Sequence, residues 1–267
     1  GTPAIHARDA AINNPRGLAL TRLAPPKLYE RNMIQTQQAA QRPQLPADTE
    51  NTRLYAPAQT FSSIVSIPQR CTLWGDARYR GNCDGTLFKE LVHQYRPRSI
   101  ADPMRGSGTT ADVVAGMREL GLYDGSYWSS DLKEGFNLLT TPLPGRHDMV
   151  WVHPPYWNII RYSDHIADLS TIDVFEEFIA ALEACLIRCI DSLNPRGTLA
   201  VLIGDVRRQG RYYCLAQHVM GMSDQLGNLV SVIIKAQHNC SSDRKRYGNM
   251  KHVPIKHEYC LLFQKNI

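Results

Sequence analysis

The sequence predicts an α/β fold in which a doubly wound, mostly parallel sheet is flanked by helices. After residue 70, short apolar runs typical of buried strands alternate with stretches of helical periodicity. Polar or glycine-rich turns follow several of these runs. Alternation of this kind favours parallel strands joined by crossover helices, and the chain shows no internal repeat.

The individual elements can be placed along the chain. Six strands are predicted, at 99–101, 125–129, 149–152, 198–203, 229–234 and 259–263. Two helices are predicted, at 109–120 and 171–193. The second helix has the clearer pattern, because eight apolar side chains recur at helical spacing: Phe175, Phe178, Ile179, Leu182, Leu186, Cys189, Ile190 and Leu193. The Asn-Pro-Arg-Gly stretch at 194–197 is expected to end it.

Residues 1–70 differ in composition from the rest of the chain. They hold eight of the sixteen prolines, two glycines and no cysteine, and their net charge is +4 from eight basic and four acidic side chains. The polar, biased stretch 35–44 lacks a sustained apolar period. We therefore expect an extended, low-complexity N-terminal arm over 1–70 and a globular domain over 71–267. The arm is either a plain flexible tail or a segment that contacts DNA or a partner.

Composition excludes several classes of protein. Among the 267 residues, 43% are hydrophobic, yet no apolar run approaches the roughly 20 residues that span a bilayer. No charged-then-apolar leader is present, so we do not expect a retained secretory signal. Seven scattered cysteines, an odd number, favour a reducing, cytoplasmic location over a disulfide scaffold. The net charge of +5 is compatible with a nucleic-acid partner.

The strongest functional signal is a glycine-rich turn between the first predicted strand and the first predicted helix. It reads Asp102-Pro103-Met104-Arg105-Gly106-Ser107-Gly108-Thr109-Thr110. Gly106 and Gly108 allow a tight bend and a close approach to a ligand, and Thr109 or Thr110 can cap the helix. The turn lacks the Lys-Ser/Thr ending of a nucleotide phosphate loop and the Gly-x-Gly-x-x-Gly spacing of a dinucleotide site. The alternative is a tight turn with a structural role.

An acidic residue, Asp131, follows the second predicted strand about 20 residues after the glycines. A carboxylate at this place can hydrogen-bond both ribose hydroxyls of an adenosine-type ligand. An Asp after a strand is otherwise a common turn residue. The predicted ribose contact therefore depends on its pairing with the glycine-rich turn.

A second turn, His153-Pro154-Pro155-Tyr156, follows the third predicted strand. Pro155 has no N–H, so the Pro154 carbonyl is expected to stay available to a ligand amino group. Tyr156 offers a flat face for stacking on a base, worth roughly 1–3 kcal/mol. Alone, a Pro-Pro turn with aromatic residues is often a structural corner. At the same sheet edge as the glycine-rich turn, it indicates an active site.

The two turns together resemble the S-adenosylmethionine-dependent amino-methyltransferases that methylate exocyclic nitrogens of DNA bases. Asp102 to Thr110 is similar to the family's cofactor motif, Asp-Pro-Phe-x-Gly-Ser-Gly-Thr-Thr, and His153 to Tyr156 is similar to its catalytic Asp/Asn/Ser-Pro-Pro-Tyr. The stretches 193–205 and 257–265 resemble two of its strands. The resemblance covers about residues 71–267 and implies a methyltransferase domain with a Rossmann-like sheet.

The resemblance also implies the roles of the site residues. S-adenosylmethionine would be bound by Asp102, Pro103, Met104, Gly106, Ser107, Gly108, Thr109, Thr110 and Asp131. A target base would be flipped out of the duplex into the pocket, with its amino group on the Pro154 carbonyl and the side chain at 153. Tyr156 would stack on the base, and Pro155 completes the catalytic turn. No cysteine nucleophile is required.

His153 departs from the family pattern, which has Asp, Asn or Ser at this position. A neutral imidazole nitrogen can accept a hydrogen bond, whereas an imidazolium cannot. Histidine leaves adenine N6 and cytosine N4 both open as the target. Trp157 and Arg161, which follow the turn and are expected to contact the nucleic acid, lean toward the cytosine-type pattern.

Recognition of the nucleic acid is expected to come from loops, the N-terminal arm or the second subunit of a homodimer. About 45 residues separate the two turns, too few for an inserted recognition domain. The best loop, 235–256, has six basic residues against one acidic residue. It contains Arg244, Lys245, Arg246 and Tyr247, a set that suits a phosphate backbone and a base. A second basic loop carries Arg207 and Arg208. The alternative for both loops is a solvated connection between strands that contacts no nucleic acid.

No metal site is predicted, because the His and Cys residues lack the paired spacing of zinc ligands. Cys185 and Cys189 lie one helical turn apart on an apolar face, which favours core packing. The leading interpretation is a DNA methyltransferase acting on adenine N6 or cytosine N4. The alternatives are an RNA or protein N-methyltransferase and a non-catalytic nucleic-acid-binding module that keeps the fold.

Overall fold

The protein is described by a computed structural model that covers residues 50–238 and 252–267. Its centre is a seven-stranded sheet, formed by β1 (Ile64–Ser66), β2 (Ser99–Asp102), β3 (Ser126–Ser129), β4 (His147–Val152), β5 (Leu193–Ile203), β8 (Asn228–Ala236) and β9 (His257–Gln264). The strands β6 (Val206–Arg208) and β7 (Arg211–Tyr213) pair with each other as an antiparallel hairpin.

The strand order of the sheet is β1-β8-β9-β5-β4-β2-β3. β9 runs antiparallel to β5 and β8, and the other neighbouring strands are parallel. The chain passes from β2 outward to β3 and then returns to β4, on the other side of β2. The order thus reverses between β2 and β4. In open α/β sheets the crevice at the carboxyl ends of two such strands is the usual place for a ligand.

Helices cover both faces of the sheet. They are α1 (Glu50–Tyr55), α2 (Thr86–Tyr95), α3 (Thr109–Glu119), α4 (Phe175–Asp191), α5 (Leu215–Met220) and α6 (Ser223–Leu226). Since side chains alternate across a strand, Met149 and Trp151 of β4 join the core under α1–α3, whereas Val150 and Val152 join the core under α4–α6. No helix in the described ranges is both long and apolar enough to cross a membrane.

This architecture confirms the predicted fold class, and all six predicted strands are present. The largest difference in boundary concerns residues 194–197, which were expected to lie beyond a helix end and before a strand. The structure includes them in β5, which begins at Leu193 and pairs with β4 through an irregularity of register. Arg196 takes a positive φ of 63° there, and its N–H donates to the Lys265 carbonyl at 3.2 Å.

The segment predicted as an arm is described only from residue 50 onward, and residues 1–49 lie outside the described ranges. Between 50 and 70 the chain forms α1 and β1, and β1 pairs with β8 at the edge of the sheet. Tyr55 is buried, and its hydroxyl accepts a hydrogen bond from the Trp74 indole at 2.9 Å. The globular part therefore includes residues that lie before the boundary expected at 70. The few apolar side chains between 50 and 70 are too widely spaced to give a periodic signal.

Candidate active site

A cavity of about 420 Å³ lies where the sheet order reverses. Its wall includes Asp102 to Ser107, Thr109 and Thr110 from the glycine-rich turn, and Asp131 from the segment after β3. His153 and Pro155 from the turn after β4 also line it. Parallel strands bring their carboxyl ends to one edge of the sheet, which is why residues so distant in sequence meet here.

The backbone of the glycine-rich turn requires glycine at two positions. Gly106 and Gly108 have φ of 53° and 90°, in the left-handed region that other residues seldom adopt. The Gly106 N–H donates to the Asp131 carboxylate at 2.9 Å, and the Arg105 N–H donates to the Ser130 carbonyl at 3.2 Å. These bonds fasten the turn to the end of β3, so that it is held open toward the cavity.

Asp102 is buried at the end of β2 and holds the turn from below. Its carboxylate accepts hydrogen bonds from the Met104 N–H at 3.1 Å and from the Thr110 hydroxyl. Burial raises the pKa of Asp102 to about 7, although these two hydrogen bonds act in the opposite direction. A positive charge placed near this carboxyl would therefore be stabilised more strongly than one at the protein surface.

The expected capping of α3 by a threonine is wrong. Gly108 occupies the N-cap position, and no side chain caps the helix there. Thr110 is directed to Asp102, and the Thr109 hydroxyl donates to Asn82 Oδ1 at 2.6 Å. Thr109 and Thr110 are the first two residues of the helix itself, so neither occupies the position from which a side chain caps it.

Asp131 follows β3 and is held by backbone donors on both oxygens. Besides the Gly106 N–H, it accepts from the Lys133 N–H at 3.2 Å. The carboxylate is partly buried and still lines the cavity. Each carboxylate oxygen has two lone pairs, so capacity remains for hydroxyl donors of a ligand.

His153 follows β4 and faces the cavity beside Pro155. Its Nε2 lies 2.9 Å from the Tyr156 hydroxyl, and the two ring centroids are 5.5 Å apart. Burial lowers the pKa of His153 to about 4. Of two smaller effects, Glu258 raises this pKa and Lys235 lowers it. The imidazole is therefore neutral near pH 7 and keeps a nitrogen that can accept a hydrogen bond.

The other residues of this turn have different surroundings. Pro154 is buried, and within the described ranges no hydrogen bond reaches its carbonyl. Tyr156 does not belong to the cavity wall that the described residues form. Its ring packs against Gly204, where an added Cβ would come within 2.6 Å of it. The ring thus supports the turn from outside this cavity wall, whereas the sequence predicted that it would stack on the target base.

Part of the cavity wall gave no signal in the sequence. Tyr79, Asn82 and Cys83, from the connection before α2, also line the cavity, and Asn82 accepts the hydrogen bond from Thr109 of the glycine-rich turn. The Tyr79 ring stacks on Tyr162 with centroids 5.8 Å apart, and Lys133 Nζ lies 5.1 Å from the Tyr79 centroid. This connection has neither periodicity nor a recognisable motif, so only the folded structure places it at the site.

The residues expected to contact nucleic acid are only partly placed there. Trp157 is 4% exposed, and its indole N–H donates to the Ile172 carbonyl at 2.9 Å. Its rings pack against Phe175 and Tyr213, so the expected contact with nucleic acid is wrong for this core residue. Arg161 is exposed and forms an ion pair with Asp164 at 3.0 Å.

The structure describes the two predicted basic loops only in part. Arg207 donates to the Val253 carbonyl at 2.9 Å, and Arg208 donates to Asn158 at 2.9 Å. Arg244, Lys245, Arg246 and Tyr247 lie outside the described residues. Lys235, which was counted in the predicted loop 235–256, is buried in β8 and paired with Glu258. β8 ends at Ala236, so the first two residues of the predicted loop belong to the strand.

Potential metal ligands are dispersed in the part of the chain that the structure describes, where no group of three or more His, Cys, Asp or Glu side chains could hold an ion. Cys185 and Cys189 are buried in the core under α4, at 1% and 0% exposure.

No protein-family model matches the chain, and no curated protein matches it. Solved structures that resemble it include a protein named as a candidate DNA modification methylase from Thermus thermophilus, with 21% identity and a TM-score of 0.34. That match covers 63% of this chain and 53% of the other. TrmN from Thermus thermophilus has 14% identity and a TM-score of 0.37, with 70% of this chain and 50% of TrmN covered. The chain thus spans about half the length of each.

N-methyltransferase NodS from Bradyrhizobium japonicum also resembles the chain, with 8% identity, a TM-score of 0.34, and coverage of 68% of this chain and 93% of NodS. The chain itself has an α/β fold, in which a mostly parallel sheet is flanked by helices and the glycine-rich turn follows β2.

Proposed function

We propose that this protein transfers a methyl group from S-adenosylmethionine to an exocyclic amino group of a DNA base, either adenine N6 or cytosine N4. The observation that supports this most strongly is a single cavity lined both by the glycine-rich turn and by His153 and Pro155. A turn suited to the cofactor and an acceptor suited to an amino group thus face the same space.

The residues of the turn fit the proposed cofactor. The Ser107 hydroxyl and Arg105 Nε are buried and have no hydrogen-bond partner among the described residues, so both are available to a polar ligand. S-adenosylmethionine is cationic at its sulfonium and amino groups. A cation near Asp102 would lower the raised pKa of this carboxyl and so stabilise its charged form. Asp131 would bind the ribose hydroxyls. When bound, the cofactor supplies an electrophilic methyl group.

The second turn supplies acceptors for the target amino group. Neutral His153 and the Pro154 carbonyl would each accept one N–H, which favours a geometry in which the nitrogen lone pair leaves conjugation with the ring. Because the pKa of His153 is about 4, its imidazole is a weak base at neutral pH. Its proposed role is therefore to accept a hydrogen bond and orient the nitrogen, while solvent removes the proton from the methylated product.

Three features support DNA as the substrate. The chain carries a net charge of +5, and its loop beyond Ala236 is rich in Arg and Lys. Exposed Arg161 and Arg208 follow the second turn and β5. A cavity below the surface suits a base that is flipped out of its stack.

Methyl transfer from labelled S-adenosylmethionine to duplex DNA, RNA of the same sequence and protein tests the assignment. Labelled N6-methyladenine or N4-methylcytosine from DNA is expected, and label found only in RNA or protein would refute it.

Asp131→Ala is expected to weaken S-adenosylmethionine binding by about 10- to 100-fold, because hydrogen bonds from the ribose to a charged carboxylate are lost. Calorimetric titration measures the change directly. Asp124→Ala is the matched control, since Asp124 is exposed at the opposite end of β3. Equal affinities for the two variants would exclude the ribose contact.

Neutralising Arg244, Lys245 and Arg246 together is expected to weaken DNA binding across sequences. The log–log dependence of affinity on salt should become shallower by up to about three units, as three phosphate contacts are removed. Fluorescence anisotropy at several salt concentrations gives this slope. A slope equal to that of the parent would show that the loop does not contact phosphates.

A further inference from the structure

An exposed apolar side chain lies beside the cavity, in the connection between the second turn and α4. Ile166 is 93% exposed, more than any other large apolar side chain of the described residues. Its neighbours His165 and Ala167, together with Asp168, line the cavity. Single exposed apolar residues are common on protein surfaces and mean little by themselves. Ile166 differs in its place, because the residues on either side of it belong to the cavity wall.

Ile166 is held in a tight turn by hydrogen bonds. The Asp168 N–H donates to the His165 carbonyl at 2.9 Å, which closes the turn and puts Ile166 in one of its two central positions. The Asp168 carboxylate accepts from the Ser163 hydroxyl at 2.7 Å and from the Ser170 N–H at 2.8 Å. The turn is thus fastened to the chain on both sides, and it presents the isoleucine in a defined position.

Neither packing nor local preference explains an isoleucine at this position. The central residues of turns are mostly Gly, Pro, Asn, Asp or Ser, whereas isoleucine is β-branched and favours strands. An exposed isoleucine also gains none of the free energy that burial of its side chain would give. Residues that break such local rules are expected at functional sites. The position therefore indicates a contact that Ile166 makes with a partner.

The surroundings of the turn are apolar as well. Three more large apolar side chains of the same connection are exposed, those of Ile159, Tyr162 and Val174. With Ile166 they make up four of the eleven such side chains among the described residues, although the connection is short. Exposed apolar surface is thus concentrated in the connection that forms part of the cavity wall, and such a concentration is typical of an interaction surface.

The hairpin β6–β7 brings positive charge to this connection. Arg208 lies over the Trp157 ring, 4.8 Å from its centroid, and donates to Asn158. It is directly opposite Arg211 in the hairpin register, an arrangement of like charges that destabilises a strand pair. Neither arginine forms an ion pair with a described residue. Exposed apolar side chains beside such cations fit a nucleic acid, which has apolar base faces and anionic phosphates.

We propose that Ile166 enters the base stack of duplex DNA and fills the space that the target base leaves when it is flipped into the cavity. Flipping opens a gap between the neighbouring base pairs, and an apolar side chain inserted there restores the lost contacts. A side chain that the turn already holds in place loses little conformational freedom on insertion. The inference rests on the proposed function, which supplies the flipped base.

DNA binding tests this insertion without any methyl transfer. The two probes are an intact duplex and a duplex of the same sequence with one abasic site, in which the gap already exists. The parent is expected to bind the abasic duplex about 10-fold more tightly, because no base has to be unstacked. Ile166→Ser should reduce this preference to less than about threefold, whereas Ile166→Leu keeps an apolar wedge and should retain it. Fluorescence anisotropy measures both affinities.

Ile64→Ser is the matched control, because Ile64 is an exposed isoleucine of β1, at the edge of the sheet furthest from β3. It should keep the preference of the parent. A parent that binds the two duplexes equally would overturn the proposal. An Ile166→Ser variant that retains the full preference would overturn it as well, and would assign the exposed turn to another partner, such as RNA or a second subunit.

Methyl transfer provides the second measurement. Ile166→Ser should lower the single-turnover rate on a fully paired duplex by about 10- to 100-fold, because flipping then lacks the inserted side chain. On a duplex with a mismatched target base the loss should be less than about threefold, since such a base leaves the stack more easily. Equal losses on both duplexes would indicate a damaged cavity and overturn the proposal. If the parent methylates no DNA, the proposed function fails, and the two duplex affinities still decide whether Ile166 fills a gap in the stack.

Discussion

Replacing His153 with alanine is expected to lower kcat for DNA methylation by about 100- to 1,000-fold, the range seen when one preorganised hydrogen-bonding group is removed from a reacting centre. Affinity for S-adenosylmethionine should change little, because the lost hydrogen bond strengthens only as the amino nitrogen becomes positive in the transition state. Single-turnover rates, with cofactor affinity measured by calorimetry, separate the two effects. Unchanged turnover would mean that Pro154 alone holds the amino group.

His153→Asn is the matched variant, because its amide oxygen provides an acceptor without titrating. It should keep turnover within about tenfold of the parent. The parent should be active down to about pH 5 and lose activity as pH falls through the pKa of about 4, where protonation removes the acceptor. The asparagine variant should lack that step. A loss of parental activity near pH 6.5, the ordinary histidine value, would contradict the burial of this imidazole.

Lys235→Met is expected to destabilise the fold by about 3–5 kcal/mol, since it leaves Glu258 buried without its cation. Adding Glu258→Leu should recover most of this loss, because neither charge then remains in the interior. Urea unfolding at pH 7 measures both changes as shifts in midpoint at constant slope. Arg78→Met removes a cation from an exposed ion pair with Asp76 and should have little effect. Equal stability of the single variant and the parent would show that water reaches the pair.

The sheet was predictable because its strands are short apolar runs that end in polar turns. The glycine-rich turn and Asp131 were predictable as a pair for a related reason, since parallel strands bring their carboxyl ends together. α2 was not predicted, although Leu87, Phe88, Leu91 and Val92 are all buried in it. Lys89 and Glu90, also buried, interrupt that apolar pattern. Lys89 is accommodated because its amino group donates to the carbonyls of Leu54 and Ala56, a partnership distant in sequence.

For Trp157 and Lys235, the surroundings predicted from the sequence were wrong. An aromatic residue after an active-site turn looks the same in sequence whether it faces a base or the core, and only the packing around Trp157 decides between them. Lys235 looked like the first cation of a basic loop. Its partner Glu258 is 23 residues further on and is opposed to it only by the register of β8 and β9. Pairings of this kind depend on the folded sheet and leave no local pattern.

The position of β9 has a consequence for how the site is assembled over time. β9 follows β8 in the chain but lies between β5 and β8, so β8 and β1 join the rest of the sheet only through it. During synthesis, β2 to β5 can pair early, while the far edge must wait until residues 257–264 have left the ribosome. Glu258 arrives with that strand. A nascent chain that stops before it would have the glycine-rich turn and His153, but would leave Lys235 without the carboxylate that pairs with it in the finished sheet.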